Sequence, residues 1–428
     1  MVAESISKNN LIARYSRRTA GSMILGAIGS SLLPQRNLFA EAGASRLTPF
    51  RVNVPQAKID HIIKRVREAG WPERLQADDW RYGANWDYMR SLAKYWVEQF
   101  DWRKAEASLN RYPQFLTRVG DYDIHFYYVK GRGPKPMPLI LTHGWPGSVF
   151  EFLEAIGPLS DPARFGASAE DVFDVIVPSL PGYGFSSKPP GKPIGPATTA
   201  TLWNMLMTQA LGYPRYGAQG GDLGEKVTAE LGRAYPKSLI GIHLNDIAED
   251  LALPDDKEMT AEERAWVRDS DAEWHVEGGY SREHHTRPET AAFALTDNPL
   301  GAAAWLVEKI KLWSDSPDRR EPVFTMDQVL TDVMIYLVTD TMDSSIWFYR
   351  GVDDDPVTTR RVGVPTGIIY SPREMLTFKP PRSVLERHFN LVRFTQLPRG
   401  GHFAFWEQPG PMTDDVRQFF RPLRAQAT

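Results

Sequence analysis

The sequence predicts an α/β fold with a mostly parallel β-sheet, and three observations support this prediction. Short apolar runs of strand length recur after residue 121. Amphipathic segments of helix length, such as 199–211 and 224–235, separate several of these runs. A chain of 428 residues suits one large α/β domain with attachments. The strand-like runs are 124–129, 139–142, 172–177, 239–244, 367–370 and 392–397. This alternation is typical of a parallel sheet with helices on both faces.

The composition excludes several classes of function. The chain is 42% hydrophobic and 24% charged, with a net charge of -3 and therefore no basic excess for binding phosphate backbones. We do not expect nucleic acid as a partner. Cysteine is absent, so disulfides, thiolate nucleophiles and cysteine metal sites are all excluded.

Residues 1–45 differ in composition from the rest of the chain. Arg17 and Arg18 precede an uncharged stretch at 19–33, and a small-x-small site follows at 40–42. This order is typical of a twin-arginine signal segment, which predicts export to the periplasm. The apolar stretch is too short for a membrane span, so we expect no stable membrane insertion after processing. The alternative is a disordered tail without a targeting function, which would leave the protein cytoplasmic.

The rest of the chain is expected to form one catalytic domain with two additions. Aromatic and apolar residues at helical spacing predict a helical lead-in between residues 50 and 119. A long helical, polar and proline-containing stretch later interrupts the strand–helix rhythm, and we interpret it as a cap inserted between strands. The predicted segments are 1–45 (signal), 46–120 (N-terminal region), 121–246 (first part of the core), 247–361 (cap) and 362–428 (second part of the core).

A glycine-rich turn places an aspartate where a nucleophile would stand. Asp222 lies between a strand-like segment and a helix-like run, with Gly220 two residues before it and Gly224 two residues after. A sharp strand-to-helix turn requires small residues at these flanking positions. At the helix N-terminus a carboxylate stays ionised and can attack a carbon to form an ester. The alternative interpretation is a glycine-rich loop whose aspartate only caps the helix.

Two other segments supply partners for such a nucleophile. The turn His143-Gly144-Trp145-Pro146 follows the strand 139–142, and it would direct the Trp145 amide toward Asp222. Together with the amide of Leu223 it would form an oxyanion hole. We interpret His143 as a structural residue of the turn.

The general base is expected after the last strand. His402, in the sequence Gly400-Gly401-His402-Phe403, is the histidine with that placement. Its orienting acid is either Glu374, just past the strand 367–370, or Asp246, past the strand 239–244; the spacing favours Glu374 and leaves Asp246 open. The order nucleophile, acid, histidine predicts an α/β-hydrolase fold with an inserted, mainly helical cap. His284 and His285 lie in the cap with no carboxylate at ligand spacing, so no metal site is expected there.

With these motifs the chain resembles the microsomal-type epoxide hydrolases, from about residue 47 to residue 409, including their N-terminal epoxide-hydrolase region. Two cap tyrosines match those that in this family donate hydrogen bonds to the epoxide oxygen. They are Tyr280, after Gly278-Gly279, and Tyr349, after Trp347-Phe348. The other matching segments are 80–83, 143–148, 180–186, 220–224 and 400–403.

The resemblance implies a two-step reaction on a small apolar epoxide and water. Asp222 would open the ring while Tyr280 and Tyr349 protonate its oxygen, and His402 with Glu374 would then activate water to release the diol. No metal or organic cofactor is implied. The sequence leaves open the epoxide, the carbon attacked, the stereochemistry and whether the chain forms a homo-oligomer.

Because the sequence departs from the family at one position, we also consider other functions. The residue after the nucleophile is commonly tryptophan in these enzymes and is Leu223 here, which leaves the substrate's shape open. A haloalkane-type dehalogenase could use the same aspartate, but it needs side-chain donors for the halide, and the Leu223 side chain has none. A non-catalytic binding protein of the same fold is a further alternative, which the complete set of site residues argues against. A serine esterase is less expected still, because the chain contains no Gly-x-Ser-x-Gly turn.

Overall fold

The computed structural model describes residues 47–75, 80–248, 251–316, 323–355, 357 and 360–426. The described residues belong to a compact unit that begins at Ser45. The predicted signal segment, residues 1–45, lies outside the described residues, so its prediction stays untested. Within the described part of the chain, no helix combines the length and apolar character that crossing a membrane would require.

The strands formed by the described residues make one nine-stranded sheet with the order β1-β2-β3-β5-β4-β6-β7-β8-β9. The first three strands and β5 pair antiparallel, and the remaining neighbours pair parallel. The strands are Thr48–Phe50 (β1), Gln114–Val119 (β2), Tyr122–Val129 (β3), Met137–Thr142 (β4), Phe173–Pro178 (β5), Tyr216–Gly220 (β6), Leu239–Leu244 (β7), Val362–Tyr370 (β8) and Phe389–Gln396 (β9). The predicted mostly parallel sheet of an α/β-hydrolase fold is confirmed.

The central strands are buried along their whole length. Every residue of β4, β5, β6 and β7 is buried. Since successive side chains of a strand point to opposite faces, these strands are covered on both faces. The helices of the core are Leu153–Ser160 (α4), Pro196–Met205 (α5), Leu223–Ala234 (α6), Arg382–His388 (α13), Ala404–Glu407 (α14) and Pro409–Phe420 (α15). Helix α6 packs on β6, β7 and β8, and α4 packs on β5 and α15.

Between β7 and β8, where the sequence predicted a cap, the described residues form six helices. They are Ala261–Glu277 (α7), Gly279–Thr286 (α8), Pro288–Leu295 (α9), Pro299–Leu312 (α10), Met326–Val338 (α11) and Met342–Asp354 (α12). A capping box fixes the start of α7, in which the Thr260 side chain accepts from the Glu263 amide and the Glu263 side chain accepts in return. Helix α12 packs against α8 and α9, which brings distant parts of the cap together.

The lead-in differs from the prediction at both of its ends. It contains the expected helices Gln56–Glu68 (α1), Trp86–Glu98 (α2) and Trp102–Leu109 (α3), but it begins with β1 and ends with β2. The predicted helical lead-in is therefore present, with short strands at its two ends that the periodicity did not indicate. Strand β1 has three residues and is held by antiparallel pairing with β2, a partner its own sequence does not specify. Helices α1, α2 and α3 contact α11, so the lead-in supports the cap.

A buried polar cluster joins β7 and β9 to α15 beneath the sheet. The Asp415 carboxylate bonds His243 Nε2 at 3.0 Å, accepts from Arg393 Nε at 2.9 Å and accepts from the Thr395 hydroxyl at 2.8 Å. Burial alone would raise the pKa of Asp415, but these hydrogen bonds outweigh it and hold the pKa well below its usual range. Asp415 is therefore a buried charge whose partners are all in place.

Candidate active site

The turn between β6 and α6 places Asp222 at the carboxyl edge of the sheet. Asp222 has φ 53° and ψ -126°, a strained conformation for a residue with a side chain. A Cβ atom at Gly220 would collide with the Gly224 carbonyl, and one at Gly224 would collide with the Thr142 carbonyl. The two flanking glycines thus satisfy a steric requirement of this turn, as the sequence predicted.

The Asp222 carboxylate is held from two sides. The Trp145 amide donates to its Oδ1 at 2.9 Å, and His402 Nε2 lies 3.5 Å from its Oδ2. Its side chain makes no capping hydrogen bond to α6, so the interpretation of Asp222 as a plain helix cap finds no support. Leu223 is the first residue of α6, and its amide is among those a helix leaves without an intrahelical acceptor.

His402 lies after β9 with its ring between two carboxylates. Its Nδ1 bonds Glu374 at 2.9 Å to Oε2 and 3.1 Å to Oε1, while its Nε2 faces Asp222. Burial alone would lower the pKa of His402, but Glu374 and Asp222 outweigh it and hold the pKa well above its ordinary value. The arrangement gives Glu374 the position of an orienting acid.

Asp246, the other candidate acid, has a different main contact. Its two carboxylate oxygens accept from the Asp222 amide at 2.9 and 3.0 Å, and its Oδ2 lies 3.8 Å from His402 Nδ1. Burial, the Glu374 charge and the Asp222 charge raise the pKa of Asp246 well above its ordinary value. The structure therefore places Asp246 behind the Asp222 backbone, near His402 but not hydrogen-bonded to it.

The turn at residues 143–148, which follows β4, is held by its own side chains and by the cap. His143 bonds the Gly144 carbonyl through Nδ1 at 3.0 Å and accepts from the Leu180 amide through Nε2 at 3.1 Å. Burial lowers the pKa of His143 to about 4, so the ring is neutral near pH 7. Both of its nitrogens already have hydrogen-bond partners, which agrees with its interpretation as a structural residue. From α11, the Tyr336 hydroxyl donates to the Gly147 carbonyl at 2.6 Å.

Both cap tyrosines contact the indole ring of Trp145. Tyr280, on α8, stacks on Trp145 with ring centroids 5.1 Å apart and an interplanar angle of 11°. Tyr349, on α12, meets the same indole edge-on at 6.0 Å and lies 5.9 Å from the Tyr280 ring. The residue whose amide binds Asp222 thus also positions both tyrosines.

Both tyrosines are buried and keep their protons. Burial first, and then the Asp222 charge, raises the pKa of Tyr280; burial and Tyr280 raise that of Tyr349. The two hydroxyls are near enough to influence each other, yet they lack hydrogen-bond geometry, and Tyr349 Oη has no partner among the described residues. A buried hydroxyl without a partner is costly, so this one is available to a ligand.

Sequence reasoning missed three side chains near the site. His284 lies between Tyr349 and Trp145, with ring centroids 4.8 and 5.0 Å away, and its Nε2 accepts from the Trp305 indole at 3.0 Å. The buried Lys309 places its ammonium 4.9 Å from the centre of the Tyr280 ring. Glu151 lines the cavity beside Asp222. Helical spacing on α8 could have indicated His284, because it stands four residues after Tyr280.

A small cavity of about 20 Å³ lies beside Asp222 and His402. It is also lined by polar side chains from Glu151 and Asn245 and by the aromatic residues Phe403 and Phe405, whereas neither cap tyrosine lines it. The cap tyrosines therefore lie outside this cavity, although both contact Trp145, which lines it.

The ligand atoms of possible metal-binding residues are already engaged. Asp246, Glu374 and His402 could each present an atom within 4.8 Å of the others, but these atoms bond one another or the Asp222 amide. In the cap, His285 Nδ1 bonds the Asp353 carboxylate at 2.9 Å, a partner from α12 that sequence spacing did not reveal.

The chain is similar to known epoxide hydrolases over most of its length. A family model described as the epoxide hydrolase N terminus matches residues 47–152, and one described as the alpha/beta hydrolase fold matches residues 137–282. A Stigmatella aurantiaca relative is 39% identical over 89% of this chain and 86% of its own length. Epoxide hydrolase 1 of Sus scrofa is 33% identical over 90% of this chain and 91% of its own. The solved structure of the Aspergillus niger epoxide hydrolase superposes with a TM-score of 0.78 and 29% identity, covering 90% of this chain and 98% of that one.

Proposed function

This chain belongs to the epoxide hydrolase family and hydrolyses epoxides, and we propose that it does so in two steps through an ester on Asp222. One observation carries the proposal: Trp145 binds the Asp222 carboxylate through its amide and both cap tyrosines through its ring. An epoxide bound against this residue has a nucleophile on one side and two proton donors on the other.

In the first step, a carboxylate oxygen of Asp222 attacks a ring carbon. Oδ1 is held by the Trp145 amide, which leaves Oδ2 as the attacking atom. The carbon–oxygen bond of the epoxide breaks, and the departing oxygen takes a proton from Tyr280 or Tyr349. The products are a hydroxyalkyl ester of Asp222 and a tyrosinate.

In the second step, water attacks the carbonyl carbon of the ester. His402 takes a proton from this water, and the developing oxyanion stays at the Trp145 and Leu223 amides. The ester bond then breaks and the diol leaves with the proton from His402. The carboxylic acid remaining on Asp222 loses its proton, the tyrosinate regains one, and the enzyme returns to its starting state.

Loss of the Asp222 charge prepares His402 for this second step. The Asp222 carboxylate helps to hold the His402 pKa above its ordinary value. An ester carries no charge, so its formation lowers the His402 pKa and favours the neutral imidazole that a general base requires.

Single-turnover mass spectrometry of the intact protein with an aryl epoxide tests the ester. With His402→Gln, an adduct of one epoxide should accumulate and map to Asp222, while Asp222→Asn should give none. In ¹⁸O-labelled water, the first turnover of the wild type should place the label in Asp222 and leave the diol unlabelled. A diol that carries the label in the first turnover would mean direct attack by water and would overturn the ester mechanism.

We also propose that residues 1–45 direct export by the twin-arginine route. The support is the order of Arg17 and Arg18, the uncharged stretch 19–33 and the small-x-small site at 40–42. Replacing both arginines by lysine should retain the protein in the cytoplasm of a bacterial expression host, as cell fractionation would detect. Equal export of both forms would contradict the proposal.

A further inference from the structure

We propose that Asp246 is a second acid for His402: a positioning residue that fixes the Asp222 backbone and takes over the orientation of the imidazole when Glu374 carries no charge. This inference rests on the proposed function, because it concerns the histidine that acts in ester hydrolysis. It deepens that function by assigning a role to a buried carboxyl group that the two steps above leave unused.

The geometry of His402 Nδ1 supports the proposal first. Glu374 Oε2 lies 2.9 Å from this atom and Asp246 Oδ2 lies 3.8 Å from it, so two carboxyl groups from different strand ends converge on one N–H. Glu374 follows β8 and Asp246 follows β7, and these strands are neighbours in the sheet. The Asp246 oxygen is less than 1 Å beyond the usual N–H···O range of about 3.2 Å, so the imidazole needs to move little to exchange one acceptor for the other.

The anchoring of Asp246 supports it second. Both of its oxygens accept from the Asp222 amide, and its side chain is fully buried. A carboxyl group with this bidentate contact cannot turn away, so it stays beside His402 whatever happens at Glu374. The same contact holds the strained turn of the nucleophile in place.

The neighbouring charges explain why Glu374, and not Asp246, orients His402 while both acids are present. Burial and the neighbouring charges of Glu374 and Asp222 raise the pKa of Asp246, which disfavours its ionisation while both of these charges are present. Removing the Glu374 charge takes away one of these opposing charges, and esterification of Asp222 takes away the other. During ester hydrolysis without Glu374, Asp246 is therefore free to ionise beside the imidazolium, which stabilises it.

Isosteric variants test the proposal without removing hydrogen-bond acceptors. Glu374→Gln keeps an oxygen for the Met375 amide, and Asp246→Asn keeps one for the Asp222 amide. The rates of ester formation and of ester hydrolysis are measured separately by rapid quenching and intact-protein mass spectrometry, in each single variant and in the double variant. Asp332→Asn, a buried acid that bonds Ser148 and not His402, is combined with Glu374→Gln as the matched control.

We expect Glu374→Gln alone to slow ester hydrolysis by about 10²-fold and the double variant by about 10⁴-fold, the loss typical of a histidine left without its acid. Ester formation should change much less in Glu374→Gln. The loss in the double variant should exceed the product of the two single losses, whereas Asp332→Asn should combine multiplicatively with Glu374→Gln.

Two results would overturn the proposal. One is ester hydrolysis in Glu374→Gln that is already as slow as in the double variant. The other, which does not depend on the double variant's folding, is hydrolysis in Glu374→Gln as slow as in His402→Gln. A purely structural role for Asp246 would slow ester formation in Asp246→Asn and give no synergy in hydrolysis. Absence of any ester in His402→Gln would instead contradict the proposed function itself, so the two failures are distinguishable.

Discussion

His402 Nε2 lies 3.5 Å from Asp222 Oδ2, so the proposed base faces the proposed nucleophile directly. We expect Asp222→Asn, which removes the charge but not the shape, to lower the pKa of His402, because the carboxylate helps to hold that pKa up. Titration of the histidine ring signals by NMR would measure the shift. Asp332→Asn should leave the His402 pKa near its wild-type value, and an unchanged or higher pKa in Asp222→Asn would contradict the charge coupling.

The proposed mechanism gives Tyr280 and Tyr349, which both contact the Trp145 ring, the role of proton donors in ring opening. Replacing either by phenylalanine should slow ester formation by about 10²- to 10⁴-fold, the usual contribution of a general acid. Hydrolysis of an ester already formed should change far less. Single-turnover quenching separates the two steps. Tyr183→Phe is the control, since this buried hydroxyl donates to the Ser345 carbonyl and should alter stability without slowing ester formation. Equal losses in all three variants would argue for packing alone.

The sharp turn at the nucleophile makes Gly224 intolerant of a side chain. A Cβ there would collide with the Thr142 carbonyl, a backbone atom that cannot move without disturbing β4. Gly224→Ala should therefore lower the free energy of unfolding by roughly 3 kcal/mol or prevent folding altogether. Gly363, whose Cβ would meet open space, is the matched position, and its alanine variant should change stability by less than about 0.5 kcal/mol. Urea unfolding of both variants measures the contrast; similar midpoints would disprove it.

The cluster around Asp415 predicts a stability effect that depends on pH. Its pKa is depressed in the folded protein, so its stabilising contribution is complete above the ordinary aspartate value of about 4. That contribution decreases as the pH falls below this value toward the depressed pKa of the folded state. Asp415→Asn should destabilise the protein by about 3 kcal/mol at pH 7, because it leaves the partners of a buried charge uncompensated.

Denaturant unfolding of the wild type and Asp415→Asn at pH 7, 5 and 3 tests this dependence. The difference in unfolding free energy should be equal at pH 7 and 5 and smaller at pH 3. A difference that stays constant over the whole range would show that Asp415 contributes through packing and hydrogen bonds alone.

The parts of the site carried by local turn chemistry could be predicted from the sequence. Asp222 between its glycines, and His402 just after a strand, stand where short-range sterics and strand order leave few alternatives. The contacts between segments could not be predicted. The bidentate bond from Asp246 to the Asp222 amide and the ammonium of Lys309 over the Tyr280 ring join residues whose spacing carries no signal.

The fold shows the same division between local and distant causes. The apolar strands β4, β5 and β7 were evident from their own residues. Strand β6 was less evident, because a Cβ at its Gly217 would come within 2.7 Å of the Phe420 ring from α15, so packing there excludes the side chain that would have marked a strand. Strand β1 exists through its pairing with β2, which lies more than sixty residues further along the chain.

The insertion of the cap between β7 and β8 affects which parts of the site can change independently. These two strands are neighbours in the sheet, so the chain leaves and re-enters the core at adjacent points. Helices between these points can lengthen, shorten or diverge without altering the register of either strand or the turn that carries Asp222. The proposed proton donors, Tyr280 and Tyr349, lie in this inserted segment, whereas the proposed nucleophile, Asp222, lies in the turn after β6. Substitutions in the inserted helices can therefore change the surroundings of the substrate without changing the turn that carries Asp222.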